Sequence, residues 1–379
     1  MIADFIDAKH PAWTRCLQKI PHDFYHLPEY VELCAKYEGA TAAAFYAQEG
    51  ESQFLVPLLI RGLPPELQVP SDWHDCVSPY GYPTPLIWPS QMELPRFLNA
   101  FCEAARLRNI VTAFIRLHPH LPLDHGALEN FGQLVRHGQT VYFDLTKSKE
   151  DLWGQVSTNH QRNIKKLVRL GFRVTVDEWN RLPDFVGLYR ATMERVEAED
   201  TYFFPTWYFE DLRAKLAERL HLVCVLSNTN EVAAAGLFVV TDGIVQYHLG
   251  GTVARYLSLA PSKVMIDFMW RWAQERSYRV LHLGGGVGGT EDSLFQFKIG
   301  FSSARGEFHT YRVVMDETRN AKLDAVAKAV HNLSTIELSQ FFPRYRHAEK
   351  SRGLRLEEVS TSPIAGHPKT IGSQSGPAI

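Results

Sequence analysis

HLVCVLSNTNEVAAAGLFVVTDGIVQYHLGGT, residues 221–252, predicts the fold class of this chain most directly. It contains three apolar runs of strand length, separated by turns at Asn228–Asn230 and Asp242–Gly243. Turns of this composition join neighbouring antiparallel strands. The stretch therefore predicts three consecutive strands in a half-buried or buried sheet.

Helical patterns surround these three strands. We predict helices at Leu152–Leu170, Leu182–Val196 and Tyr208–Leu220 before them, and a helix at Pro261–Arg276 after them. Strand RVLHLGG (279–285) follows that helix, so the strands at 243–249 and 279–283 would flank it as a crossover. The pattern predicts an α/β (α+β) protein with mixed, mostly antiparallel sheets.

The first part of the chain predicts a similar mixture of elements. A helix at 28–38, strands at 42–48 and 54–62, a helix at about 91–107, and strands at 111–119 and 139–145 precede a polar stretch at Thr146–Glu150. We predict domains over 1–147 and 148–315, since 379 residues suit two cores. A helix over 316–345 would pack back on the first domain, and 351–379 reads as a disordered tail.

Composition and charge exclude several classes. The net charge is −2 with 45% hydrophobic residues, so any nucleic-acid partner needs a local basic patch rather than a global field. Five scattered cysteines without a CxxC pair argue against a disulfide framework or a zinc site. The start MIADFIDAKHPAW has no secretory pattern and no apolar run reaches membrane length, so we expect a cytoplasmic protein.

The segment STNHQRNIKKLVRLG (157–171) carries a basic helix face. Arg162, Lys165, Lys166 and Arg169 stand at i, i+3, i+4 and i+7 with no acidic residue among them. Such a face is either a solvated surface or a phosphate contact.

The segment LHLGGGVGGTEDSLFQFKIGF (281–301) is rich in glycine. Its GxGxxG pattern lacks the following βαβ unit of a dinucleotide site, so Gly285 and Gly286 form either a tight turn or a close backbone approach to a ligand. Lys298 lies among Phe295, Phe297 and Phe301, which would position its ammonium beside a developing oxyanion or a phosphate. An ordinary surface lysine with a packed stem is the alternative.

Other candidate sites are weaker. Ser262 and Lys263 open a helix whose N–H groups could bind an anion, although no glycine lies between Thr252 and Asp267. His22 and His26 are a weak metal pair, and no HExxH or GxSxG motif is present. Acid/base candidates cannot be ranked from the sequence; they are Glu291, Asp292, His248 and His282.

Five segments together resemble the Fem-like members of the GNAT superfamily of acyltransferases. They are PHDFYHLPEY (21–30), DCVSPYGYPTPL (75–86), FIRLHP (114–119), the Trp153–RNIKK run and the 281–301 segment. The resemblance covers about Asp23–Met315. It implies two tandem GNAT-like domains and transfer of an aminoacyl group from aminoacyl-tRNA to an amine of a cell-envelope precursor or small natural product.

The resemblance also implies site residues. The family's Phe-Lys pair near the donor's terminal adenosine matches Phe297 and Lys298, with Asp292 beside them. Tyr25, Tyr30 and Tyr80 lie in the acceptor region, where the family's glutamine-serine pattern is absent. An acyl-CoA donor, with an amino sugar or polysaccharide precursor as acceptor, and a non-catalytic binding module stay open. We expect no cofactor, no metal, no DNA partner and no transmembrane segment, with peripheral membrane contact left open.

Overall fold

The computed structural model describes residues 1–331 and 341–347 of the chain. The predicted helix over 316–345 lies partly outside the described residues, and the predicted tail 351–379 lies wholly outside them. A sheet of thirteen strands runs through the described part, with helices packed against it. Most of its strand pairs are antiparallel, which confirms the predicted fold class.

The first half adds a strand and a helix at its start that the sequence patterns did not predict. Its elements are β1 (Ile2–Asp7), α1 (Pro11–Leu17), α2 (Pro28–Glu38), β2 (Thr41–Glu49), β3 (Ser52–Gly62), β4 (His74–Val77), β5 (Leu86–Trp88), α3 (Leu94–Leu107), β6 (Ile110–Arg116), α4 (His125–Glu129) and β7 (Gln133–Asp144).

The second half carries the predicted run of strands and its crossover helix. Its elements are α5 (Lys149–Gln155), α6 (Thr158–Arg169), β8 (Arg173–Val176), α7 (Leu182–Arg195), α8 (Thr206–Leu216), β9 (Leu220–Leu226), β10 (Val232–Thr241), β11 (Ile244–Thr252), α9 (Ser262–Glu275), β12 (Val280–Gly284), α10 (Ser293–Ile299), β13 (Arg305–Val314) and α11 (Glu317–His331).

The predicted single helix over Leu152–Leu170 is wrong, because the chain breaks between α5 and α6. Val156 is extended, with ψ 124°, and Ser157 caps the second helix by accepting the backbone N–H of His160 at 3.3 Å. A serine in this position satisfies an N–H group that a continuous helix would bond internally.

Strand pairing follows the same plan in each half. Strands β1 to β4 pair antiparallel in sequence, and β4 then pairs parallel with β6, with α3 between them along the chain. Strands β8 to β11 do the same, and β11 pairs parallel with β12 across α9. The predicted crossover at 261–276 is thereby confirmed.

The final strand of each half pairs with the other half. Strand β13 lies between β6 and β7, and β7 pairs with β12, so the sheet is continuous across residues 147 and 148. The predicted domain division stays a prediction, since one sheet runs across it.

Apolar packing also joins the two halves. The largest buried cluster contains Trp13 and Tyr30 from the first half together with Phe185, Phe209 and Leu237 from the second. Helix α11 buries Leu323 and Ala327 in a smaller cluster with residues of the first half, namely Leu67 and Val111, and with Tyr345.

Candidate active site

A gap opens in the sheet where β11 and β12 diverge. The two strands pair in parallel only over Ile244–Gln246 and Val280–His282. Strand β11 then continues beside β10 as far as Thr252, while β12 pairs with β7 through Gly284. Backbone N–H and C=O groups on edges that separate in this way lose their ladder partners and need others.

Lys298 lies beside this gap. Its side chain projects from α10, is 7% exposed, and donates from Nζ to the carbonyl oxygen of Gly285 at 2.6 Å. Burial lowers the pKa of Lys298 to about 8, although the nearby Asp292 carboxylate raises it in part. The lysine is therefore a fixed, buried group rather than a solvated surface side chain.

Asp292 holds the glycine-rich turn in place. Its Oδ1 accepts the N–H of Phe295 at 2.8 Å and caps α10, while its Oδ2 accepts the N–H of Val287 at 2.9 Å. A Cβ on Gly286 would come within 2.5 Å of this carboxylate. Because both oxygens are engaged, the geometry makes Asp292 a residue that positions Lys298 rather than one that reacts.

A buried polar chain crosses from the first half to β12. Asp23 Oδ2 accepts from His118 Nε2 at 3.0 Å and from Gln246 Nε2 at 2.5 Å. The oxygen of the same amide, Gln246 Oε1, lies 2.7 Å from His282 Nδ1. His282 Nε2 is buried and has no hydrogen-bond partner among the described residues.

The tyrosines predicted as ligand contacts differ in their hydrogen bonding. Tyr30 is fully buried and donates to the carbonyl of Tyr80 at 2.8 Å, so it is a packing residue rather than the predicted ligand contact. The rings of Tyr25, Tyr30 and Tyr80 lie 6.4, 6.1 and 5.9 Å from that of His248, a residue of β11 next to the gap. All three rings therefore lie beside the gap, and Tyr30 differs in that its hydroxyl is bonded to the Tyr80 carbonyl.

Comparisons with known proteins place this geometry in a family context. Residues 154–298 match the model of the acetyltransferase (GNAT) domain. The matched segment contains α6, both strands of the gap and α9, and it ends at Lys298. Residues 154–298 are therefore similar to a GNAT-type acetyltransferase domain, and this stretch is called the GNAT-type domain below. No curated protein sequence matches the chain.

Solved structures extend the likeness to about four fifths of the chain. FemX aligns with a TM-score of 0.61 at 15% identity, over 82% of this chain and 97% of FemX. L-PGS from Bacillus licheniformis aligns with a TM-score of 0.54 at 12% identity, over 80% of this chain and 92% of that protein. A conserved protein of unknown function from Bacteroides thetaiotaomicron aligns with a TM-score of 0.52 at 11% identity, over 82% of this chain and 100% of that protein. These likenesses show a shared fold, as the Fem-like resemblance predicts.

The basic face of α6 lies on the surface of the GNAT-type domain. All four of its cations, Arg162, Lys165, Lys166 and Arg169, are exposed, and none forms a salt bridge within the described chain. Helix α6 is anchored beside Lys298, because His160 Nε2 bonds the carbonyl of Phe297 at 2.9 Å. The face is therefore uncompensated, and it lies on the side of α6 opposite His160, the residue that contacts α10.

At the start of α9, where Ser262 and Lys263 predict an anion site, the Lys263 side chain and two backbone N–H groups already have partners within the chain. Lys263 is 7% exposed, and its Nζ donates to Asn159 Oδ1 at 2.8 Å. With the Asn163 amide oriented so that its oxygen faces Lys263, that oxygen accepts from Nζ at 3.0 Å. The N–H groups of Lys263 and Val264 donate to carbonyls of the preceding turn at 3.1 and 2.9 Å. Lys263 thus ties α9 to α6.

Neither a metal cluster nor a membrane span is found in residues 1–331 and 341–347. No group of three or more His, Cys, Asp or Glu side chains there could hold a metal ion. None of the helices in this range has the length and apolar character that crossing a bilayer requires. The five cysteines are buried and free.

Four residues of the site were missing from the sequence prediction: Asp23, His118, Tyr82 and Gln246. Tyr82 packs edge to face against His282 with ring centroids 5.2 Å apart, and its hydroxyl is near the backbone of Gly284. Asp23, Tyr82 and His118 fall within segments that carry the Fem-like resemblance, but no local spacing relates them to β12. Their role appears only when the two halves are packed together.

Proposed function

We propose that this protein is an acyltransferase that moves an aminoacyl group from aminoacyl-tRNA to an amine, forming an amide bond in the cytoplasm. The observation that carries the proposal is the buried ammonium of Lys298 at the point where β11 and β12 diverge. A fixed cation in a water-poor site stabilises the negative charge that develops on a carbonyl oxygen during acyl transfer.

The reaction proceeds by direct attack in this proposal. The amine nitrogen of the acceptor bonds to the carbonyl carbon of the donor, and the ester bond to the ribose oxygen breaks. Lys298 lies beside the carbonyl oxygen and stabilises its charge in the tetrahedral intermediate. Phe297, half-buried at the neighbouring position, lines the donor side of the site.

The charge distribution around the site favours a tRNA donor. The uncompensated cations of α6 suit a phosphate backbone, which proteins bind through exposed lysine and arginine side chains. The start of α9 offers less to a pyrophosphate, because the N–H groups of Lys263 and Val264 and the Lys263 ammonium are engaged internally. We place the acceptor amine on a cell-envelope precursor or small natural product, beside Tyr25 and Tyr80.

An acyl-CoA-dependent N-acyltransferase is the second candidate. The observation in its favour is that residues 154–298 match an acetyltransferase domain. Its acceptor would be an amino sugar or a polysaccharide precursor. The two candidates differ in a measurable way, since only the tRNA donor requires the α6 face to contact many phosphates.

A donor screen tests the proposal. The protein is incubated with mixed aminoacyl-tRNAs or with acyl-CoAs and candidate amines, and products are read by mass spectrometry. Product that requires charged tRNA and is abolished by RNase supports the proposal, and product that requires a CoA thioester supports the second candidate. A Lys298→Ala variant serves as the inactive control. If neither donor binds and no product forms, the protein is a non-catalytic module.

A further inference from the structure

The hydrogen-bond chain between Asp23 and His282 fixes the protonation of His282. Asp23 is a fully buried carboxylate and accepts only, so the NH₂ group of Gln246 faces it and the amide oxygen faces His282. An amide oxygen cannot donate, so His282 must carry its proton on Nδ1. The other ring nitrogen, Nε2, is left with a free lone pair.

His118 supports this arrangement from the first half of the chain. Its Nδ1 accepts the backbone N–H of His120 at 3.0 Å, so its proton is on Nε2 and is donated to Asp23. Asp23 Oδ1 accepts the N–H of Phe24 at 2.7 Å. These bonds fix the orientation of the Asp23 carboxylate. The carboxylate in turn fixes the orientation of the Gln246 amide, and the amide fixes the proton of His282 on Nδ1.

The free Nε2 of His282 belongs to a ring at the edge of the gap. His282 is the last β12 residue paired with β11, two positions before Gly284, and a Cβ on Gly284 would lie 3.4 Å from Lys298 Nζ. The rings of Tyr82 and His120 surround it at 5.2 and 4.9 Å. A buried ring nitrogen without a partner costs stability unless a ligand or water uses it.

We infer that His282 Nε2 is the proton acceptor for the attacking amine, with Gln246 and Asp23 as positioning residues. The inference rests on the proposed function. As the new C–N bond forms, the amine nitrogen loses a proton to His282 Nε2. As the ester C–O bond breaks, His282 returns that proton to the leaving ribose oxygen. His282 thus begins and ends neutral, and Lys298 remains an ammonium throughout.

His248 shows why partners, rather than burial, single out His282. Its Nε2 is also buried without a partner, and its ring is enclosed by Phe24, Tyr25, Tyr30 and Tyr80. No hydrogen bond within the described chain fixes which of its nitrogens is protonated. Burial, together with His120, His118 and Lys298, lowers the pKa of His282 below its ordinary value, so the ring is neutral before the amine attacks and does not retain the proton that it accepts.

Chemical rescue tests the catalytic role. With the donor that the wild-type enzyme uses, His282→Ala should reduce kcat by at least about 100-fold, the usual contribution of a general base. Added imidazole should restore part of the rate in this variant while leaving the wild-type rate unchanged. Asp23→Asn should lower kcat with little change in donor affinity. His221→Ala, on β9, is the matched control and should behave as wild type.

A second readout needs no activity. In protein labelled with ¹⁵N-histidine, nitrogen chemical shifts should show His282 protonated on Nδ1 and free on Nε2, and the signal is assigned by its loss in His282→Gln. A protonated Nε2, or His282→Ala turnover within about threefold of wild type, overturns the inference. A 100-fold loss of kcat that imidazole cannot restore also overturns the inference, provided that melting curves show the variant to be folded. If the wild type transfers no acyl group, the proposed function fails and the catalytic role of His282 fails with it; the tautomer then reports only on the hydrogen-bond chain from Asp23 to His282.

Discussion

Two buried lysines in the GNAT-type domain have equal exposure and different partners. Lys263 and Lys298 are each 7% exposed, and burial lowers the pKa of both. The ammonium of Lys263 is held by amide oxygens of Asn159 and Asn163 on α6. The ammonium of Lys298 has one bond, to a backbone carbonyl at the edge of the gap.

Burial alone therefore does not identify a catalytic cation. An ammonium has three N–H donors. Two of those of Lys263 are directed at amide oxygens of α6, which join two helices, so the group serves the fold. Lys298 has donor capacity left over, and it lies where a reacting carbonyl could approach. Their variants should therefore fail in opposite ways.

The largest effect is expected from removing the two charges with a side chain of similar volume. Lys298→Met should lower the transfer rate by about 100- to 1000-fold, the loss typical of a missing oxyanion donor, while the melting temperature changes little. Lys263→Met should change the melting temperature and keep the rate per folded molecule within about tenfold of wild type. Transfer assays and calorimetry on both variants check this; equal rate losses would contradict the distinction between the two lysines.

The next effect concerns donor binding by the exposed cations of α6. Replacing Arg162, Lys165, Lys166 and Arg169 by alanine should weaken tRNA binding by more than about tenfold at low salt. The slope of log affinity against log salt should fall by about 0.7–0.9 for each phosphate that the variant no longer neutralises. Binding is measured over a salt series.

A matched control replaces four exposed cations of the first half, Arg15, Lys19, Arg96 and Arg108, with alanine. The control removes the same net charge from another surface and should leave the salt slope nearly unchanged. If both quadruple variants lose the same affinity, tRNA responds only to net charge, and the α6 face has no special role.

A smaller effect is expected from pH. The pKa of Lys298 is lowered from 10.5 to about 8, so its ammonium form predominates below that pH and is lost above it. Transfer that depends on the ammonium should therefore fall above pH 8, by about tenfold per pH unit. Initial rates between pH 6 and 9.5 give the profile. In Lys298→Arg the decline should move to higher pH, and an unchanged profile would assign the decline to another group.

The sequence predicted the second half of the fold better than the site. Alternating apolar runs and Asp242–Gly243 placed β9 to β11, and helical periodicity placed α9, because these signals are local. The break at Ser157 was missed, since a continuous apolar stripe hides a cap. The pairing of β7 with β12 and of β13 with β6, each across the two halves, was also missed. Strand order depends on packing between distant segments rather than on local preference.

The site residues that the sequence predicted lie in local patterns, and those it missed are brought together by packing between distant segments. Lys298 was predicted because it lies within a short run of glycine and aromatic residues, whose local pattern survives in the sequence. Asp23 and Gln246 were not, since they are 223 residues apart and meet only when the halves pack. Lys263 was assigned to anion binding because its position at a helix start is visible in the sequence, whereas its amide partners on α6 are not.

The smallest effect tests those amide partners. Asn159→Ala with Asn163→Ala leaves the buried Lys263 ammonium without its two acceptors, which should lower the free energy of unfolding by about 2 kcal/mol, as expected for hydrogen bonds to a charged group. The same two changes in a Lys263→Met background should cost much less, because no ammonium remains to be left unpaired. Denaturant unfolding of the four proteins gives the coupling energy directly. A coupling near zero would mean that Lys263 does not depend on α6, and the distinction between the two lysines would then rest on Lys298 alone.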